Sequence, residues 1–174
     1  TGQILRVNLT SKTHKTESFS EDFARKWIGG RGFAVKILYD ELAPGVDPLG
    51  PDNKFIVALG PIAGIPAPNT GKAVVAGKSP STGGYGDGNL GTRVAEQLRK
   101  AGYDVLIVEG RAAEPTMLYI EDDKVEFLPL CGSSSTDGGV IQLCQPVLAL
   151  VRTVDAGAIA TDSSPAKQGF QTIL

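Results

Sequence analysis

The chain has 174 residues, 41% of them hydrophobic, with 17 Lys and Arg against 19 Asp and Glu and a net charge of −2; it is long enough to bury a core and of a size expected for one domain. The near balance of charge excludes a general electrostatic grip on nucleic acid or an anionic membrane, so any anion must be held locally. No apolar run reaches the roughly 18 residues of a spanning helix, and Thr1 opens no charged-then-apolar leader, so a soluble, cytoplasmic protein is expected.

In chain order, Gln3 to Leu9 alternates as a strand, and Thr10 to Thr13 turns it into a second strand near Lys15 to Phe19. Ser20 followed by Glu21 and Asp22 is a helix start, and Gly29-Gly30 ends that short helix. A second helix is predicted over Phe33 to Leu42, burying one side through Phe33, Val35, Ile37, Leu38 and Leu42 and stopped by Pro44. Lys54 to Gly60 is a continuous apolar run that reads as a buried strand. Pro61 to Thr70 is a loop, and Ala73 to Ala76 a short strand. A helix over Arg93 to Ala101 is closed by Gly102, and Val105 to Glu109 reads as a buried strand. Thr116 to Glu121 and Lys124 to Leu128 make a hairpin turning at Asp122-Asp123.

The character changes near residue 131: residues 1–130 carry 31 charged side chains and 131–174 only five. We divide the chain there, into a body at 1–130 and a low-charge tail at 131–174. In the tail a Ser/Gly-rich linker precedes a helix predicted around Val140 to Val154, interrupted by Pro146. Cys131 and Cys144 lie thirteen apart with no CxxC, so neither a zinc site nor a cluster motif is written here. The single His14 sits in a polar stretch that reads as solvated, and one imidazole makes no metal site.

Between the strand at Ala73 and the helix at Arg93 lies "GKSPSTGGYGDGNLG", with six glycines from Gly77 to Gly91. Read as a loop feeding a helix, it brings backbone N–H groups and a helix dipole to a guest, and phosphate or pyrophosphate is the natural one. Gly86, Gly88 and Gly91 also match the dinucleotide fingerprint G-x-G-x-x-G, and Glu109 stands near where a ribose-binding acid would fall. That fingerprint should begin at the end of a strand, however, and here Lys78 to Tyr85 intervenes. A plain connecting loop is a further alternative.

The ordered set "RVNLT", "WIGGRGFAVKILYDEL", "VDPLGPDNKFIVALGPIAG", "GKAVVAGKSPSTGGYGDGNLG" and "LRKAGYDVLIVEGRA", spanning about residues 2–130, resembles the amino-terminal domain of the tungsten-containing aldehyde:ferredoxin oxidoreductase family. The resemblance implies an α+β domain of paired β-sheets with a few short helices, here incomplete. It also implies a tungsten or molybdenum bis-pyranopterin on that base, its two phosphates bridged by Mg²⁺ and its metal held by pterin sulfurs. The family's basic residue falls on Lys72, which keeps the charge and loses arginine's bidentate fork. Asn89 would hold the magnesium through its carbonyl, and Gly91 would lie against the pterin. Lys78, Ser79 and Thr82 match an element that shapes the loop, Arg31 reads as a surface side chain, and Glu109 as a strand-end acid facing solvent.

The same resemblance implies, for a whole enzyme, oxidation of an aldehyde to a carboxylic acid, a [4Fe-4S] cluster, and ferredoxin as electron acceptor. The cluster and the catalytic acids would lie in helical domains of the enzyme or on a partner chain, with a homodimer also open. The family's second glycine-rich element is absent and the pattern is not followed after Leu130. We therefore expect the 174 residues alone to lack turnover, and keep open a non-catalytic binding or interaction module.

Overall fold

The computed structural model describes residues 2–91, 93–114 and 116–129, together with the backbone of two strands at 147–152 and 172–173. Five strands run through the first half: β1 (Gln3–Asn8), β2 (Thr13–Ser18), β3 (Lys54–Leu59), β4 (Lys72–Lys78) and β5 (Tyr85–Gly91). With β6 (Val105–Glu109) they form a six-stranded sheet in the order β2-β1-β6-β3-β4-β5. Only the β1–β6 pair is parallel; the rest are antiparallel.

The centre of that sheet is buried on both faces, as its unbroken apolar runs require. Along β3, Ile56 and Ala58 point to one side and Val57 and Leu59 to the other; along β6, Val105 and Ile107 oppose Leu106 and Val108. The first set packs under helix α2 (Arg31–Glu41) through Phe33, Ala34, Ile37 and Leu38. The second set meets α3 (Val94–Lys100) and a second sheet, through Ala95, Leu98, Leu118 and Ile120.

The second sheet has four strands in the order β10-β9-β7-β8. The hairpin of β7 (Thr116–Glu121) and β8 (Lys124–Pro129) is as the sequence predicts. β9 (Val147–Arg152) pairs parallel with β7, and β10 (Thr172–Ile173) pairs with β9. The helix predicted around Val140 to Val154 is thus overturned at 147–152. Pro146 stands immediately before that segment, and β7 offers a free partner, so pairing replaces an α-helical turn that the proline would have interrupted. The rest of that helix, the linker, Cys131 and Cys144 lie outside the described residues.

Helix α1 (Glu21–Trp27) begins where Ser20 Oγ accepts the Phe23 N–H at 3.1 Å. The turn from α1 to α2 is tightly specified. Gly29 has φ +139°, and a Cβ there would stand 2.8 Å from the Leu59 carbonyl oxygen; a Cβ on Gly32 would run into the Trp27 carbonyl. The Gly30 N–H donates to Leu59 O at 2.8 Å, anchoring the start of α2 to the end of β3. As a result α2 starts two residues earlier than its apolar pattern predicts. Among the described residues no helix is long and apolar enough to cross a membrane.

Candidate functional site

The largest departure from the sequence reading falls on the glycine-rich segment. Residues 85–91 are not a loop: they form β5, paired antiparallel to β4 along seven residue pairs from Lys78↔Tyr85 to Lys72↔Gly91. Glycine disfavours strands and hides the period-2 pattern, but pairing with β4 supplies a ladder along this edge. The segment predicted to cradle an anion is therefore a sheet surface and not a loop feeding a helix. The dinucleotide geometry is not formed either. Gly86, Gly88 and Gly91 lie in an antiparallel edge strand, whereas a dinucleotide fold needs a tight turn between a parallel strand and its helix.

The element Lys78, Ser79 and Thr82 does shape the short connection from β4 to β5. The Ser79 N–H donates to Gly84 O and the Gly83 N–H to Ser79 O, both at 2.8 Å; the Gly84 N–H reaches Thr82 Oγ1 at 3.3 Å. Lys78 Nζ donates to Val46 O at 2.5 Å, so its charge is spent on closing the loop after α2. An apolar cleft of about 250 Å³ opens beside this connection, lined by Leu38, Tyr39, Leu42, Pro44 and Tyr85, and it contains none of the predicted ligand residues.

The strand register brings the three predicted site residues together. Directly paired residues share a face, so Lys72 with Gly91, and Val74 with Asn89, point the same way. That face is the one beneath α2, because Val74 and Ala76 pack in the cluster with Phe33 and Ile37. Lys72, Asn89 and Gly91 are all exposed, and among the described residues neither the Lys72 ammonium nor the Asn89 amide has a hydrogen-bonding or ionic partner. Gly88 and Gly91 adopt no left-handed backbone, and a Cβ added at either would meet nothing within 4 Å. Among the described residues neither packing nor backbone conformation calls for glycine at either position; Gly91 leaves the face of Lys72 and Asn89 open, while Gly88, paired with Val75, belongs to the opposite face.

Residues outside the predicted set complete this face. Asp87, next after Asn89 on the same side of β5, accepts from Arg31 of α2 through Nε, and through Nη2 at 3.3 Å. Tyr85 donates its hydroxyl to the same carboxylate at 3.0 Å. The Arg31 hydrogen bond holds the Asp87 carboxyl below its usual range, while burial and then Asp87 itself push the Tyr85 hydroxyl up to about 12. Arg31 is thus a surface side chain, 58% exposed, but one with a definite partner. The only signals in the sequence are an arginine fenced by glycines and the alternation Tyr85, Asp87, Asn89.

Glu109 does not face solvent as expected. It accepts from Lys54 Nζ at 2.6 Å and lies 3.5 Å from Arg6 Nη1. Arg6 also holds Glu41 at the end of α2 (2.8 Å) and Glu17 of β2 (3.3 Å). Burial raises the Glu109 and Glu41 carboxyls, and the bonds and charges from Lys54 and Arg6 more than offset it, leaving both below the usual carboxylate range. Among the described residues no three His, Cys, Asp or Glu side chains converge as a metal-binding group.

The fold is α+β with two packed sheets, and the comparisons place it among oxidoreductase domains. The model of the aldehyde ferredoxin oxidoreductase N-terminal domain matches residues 4–145. The chain is 49% identical over 126 residues to a tungsten-containing aldehyde ferredoxin oxidoreductase of Pyrococcus abyssi, covering 72% of this chain and 21% of that protein. It is 37% identical over 129 residues to the WOR-like subunit of an aliphatic sulfonate oxidoreductase of Pyrococcus furiosus, covering 72% and 20%. Among solved structures, the active-site complex BamBC of benzoyl coenzyme A reductase with 1,5-dienoyl-CoA superposes with a TM-score of 0.71 and 34% identity, over 74% of this chain and 20% of that one. The chain belongs to the aldehyde ferredoxin oxidoreductase family, through its amino-terminal domain, and spans about a fifth of the length of the relatives it matches.

Proposed function

We propose that this domain is the floor for a tungsten, or molybdenum, bis-pyranopterin in an oxidoreductase that converts aldehydes to carboxylic acids and passes electrons through a [4Fe-4S] cluster to ferredoxin. The observation that carries the reading is the α2-facing side of the β4–β5 pair. There, among the described residues, an ammonium and an amide without partners and an unobstructed glycine lie within one short stretch of register. When bound, the group supplies the redox chemistry through its metal centre.

The residues fit such a guest. Lys72 offers a point charge to a phosphate oxygen, and Asn89 Oδ1 is a hard oxygen donor of the kind Mg²⁺ takes while it keeps most of its waters. Gly91 leaves room for a flat ring to approach the backbone. Lysine at 72 cannot make a forked pair, so it neutralises charge without fixing orientation, which falls to Asn89 and the rigid strand pair. The family member named for aliphatic sulfonates and the benzoyl-CoA reductase complex share this domain. That supports a domain whose task is to seat the cofactor, with substrate choice made elsewhere.

The test is elemental analysis of the full-length enzyme and its Asn89→Ala variant. Near-stoichiometric tungsten or molybdenum with pterin phosphorus in the parent, and a severalfold loss in the variant, supports the reading. A variant that retains full metal and phosphorus sinks the role of Asn89; a parent with neither metal sinks the cofactor itself.

A further inference from the structure

Arg31 is a guanidinium held at a fixed place by backbone constraints, with one carboxylate partner on the sheet. Its backbone position is dictated by its neighbours: Gly30 at φ +51° caps α2, and Gly32 admits no Cβ against the Trp27 carbonyl. The residue is thereby fixed at the first position of an 11-residue helix, over the sheet face that carries Lys72 and Asn89. Its guanidinium sits on Asp87, and Asp87 and Asn89 are successive side chains on that face, about 7 Å apart along the strand. The guanidinium thus stands one side-chain spacing from the proposed magnesium ligand.

The Arg31–Asp87 pair is built to be exchanged. An ion pair with one partner open to water gains less than a buried one, and Arg31 is more than half exposed although the Asp87 side chain beneath it is 18% exposed. Asp87 would not be orphaned by the loss, because the Tyr85 hydroxyl continues to donate to it. A guanidinium presents the forked donor geometry that Lys72 lacks and that a phosphate accepts through two oxygens. The N-terminal turn of α2 adds a favourable dipole for an anion there.

We propose that Arg31 is a second, switchable cation of this site, parked on Asp87 when no ligand is bound and transferred to a phosphate oxygen when one arrives. The inference rests on the reading that Lys72 and Asn89 receive a magnesium-bridged pair of phosphates. It adds a residue that supplies orientation where lysine supplies only charge, and it assigns Asp87 the role of holding that residue in readiness.

The probe is magnesium pyrophosphate, titrated calorimetrically into the 174-residue chain at low salt, with circular dichroism to verify folding of each variant. Arg31→Ala should weaken binding about tenfold and Arg31→Lys by less, in keeping with the loss of a fork and the retention of charge. Asp87→Asn should act in the opposite direction, tightening binding about threefold by releasing the guanidinium. A merely structural pair would make Arg31→Ala and Asp87→Asn behave alike, and that result overturns the inference, as does unchanged affinity in Arg31→Ala. Lys72→Met and Asn89→Ala separate the two levels. If they weaken binding and Arg31→Ala does not, only the role of Arg31 falls; if neither matters, or the parent binds nothing at millimolar ligand, the phosphate site itself falls.

Discussion

The two ends of α2 stand over one face of one sheet and treat charge in opposite ways. At its C-terminal end Glu41 closes a half-buried network with Arg6, Lys54, Glu17 and Glu109, in which Arg6 and Lys54 are only 12% and 13% exposed. At its N-terminal end the donor groups lie open: Lys72 and Asn89 are unpartnered among the described residues, and Arg31, 58% exposed, rests on an Asp87 side chain that is itself 18% exposed. The first arrangement fastens a helix to a sheet. The second leaves polar groups for something else, which is the physical mark of a binding surface on a rigid scaffold.

If that contrast is right, the two ends respond to mutation differently. The largest effect is expected at the junction that sets the start of α2: Gly32→Ala forces a Cβ into the Trp27 carbonyl and should cost about 3 kcal/mol or more in urea denaturation. Arg6→Ala comes next, at about 1–2 kcal/mol: it removes the cation shared by Glu17, Glu41 and Glu109, but Lys15 stays beside Glu17 and Lys54 beside Glu41 and Glu109.

The same network sets a pH dependence. Glu17, Glu41 and Glu109 have carboxyl groups depressed in the folded state below the ordinary 4.5. Their contribution is therefore fully present above about pH 4.5 and is lost as pH falls through the folded values. The melting temperature should decline below that point, and Arg6→Ala should flatten the decline. An unchanged slope in that variant would show that the network does not govern acid stability.

The smallest stability effects belong to the open end. Lys72→Met and Asn89→Ala should change unfolding free energy by no more than about 0.5 kcal/mol. Gly91→Ala should be neutral or stabilising by about 0.5 kcal/mol, since its Cβ meets nothing, yet it should reduce cofactor content in the full-length enzyme. A Gly91→Ala variant that loads normally would show that the open space at this glycine is not used.

Much of the scaffold was legible from local pattern. β3 and β6 announce themselves as apolar runs, Ser20 as a cap, and the Asp122-Asp123 turn as a hairpin, because each signal lies within a few residues. What stayed hidden was non-local. The parallel pairing of β1 with β6 joins residues about a hundred positions apart, and the Arg31–Asp87 pair spans 56. β5 was hidden for another reason: its glycines carry no hydrophobic alternation, and only its partner β4 makes it a strand. Lys72, Asn89 and Gly91 came from a family resemblance, and the structure contributes the register that puts them on one face. Glu109 was misread because its partners, Lys54 and Arg6, lie on neighbouring strands.

The most direct test of the account is an amide chemical-shift map of the 174-residue chain during titration with magnesium pyrophosphate. The account predicts that the perturbed amides cluster at Lys72, Gly88 to Gly91 and Arg31, with the Arg6–Glu109 end unmoved. Perturbations confined to the Arg6–Glu109 end or to the Tyr39 cleft, or none at saturating ligand, would contradict it.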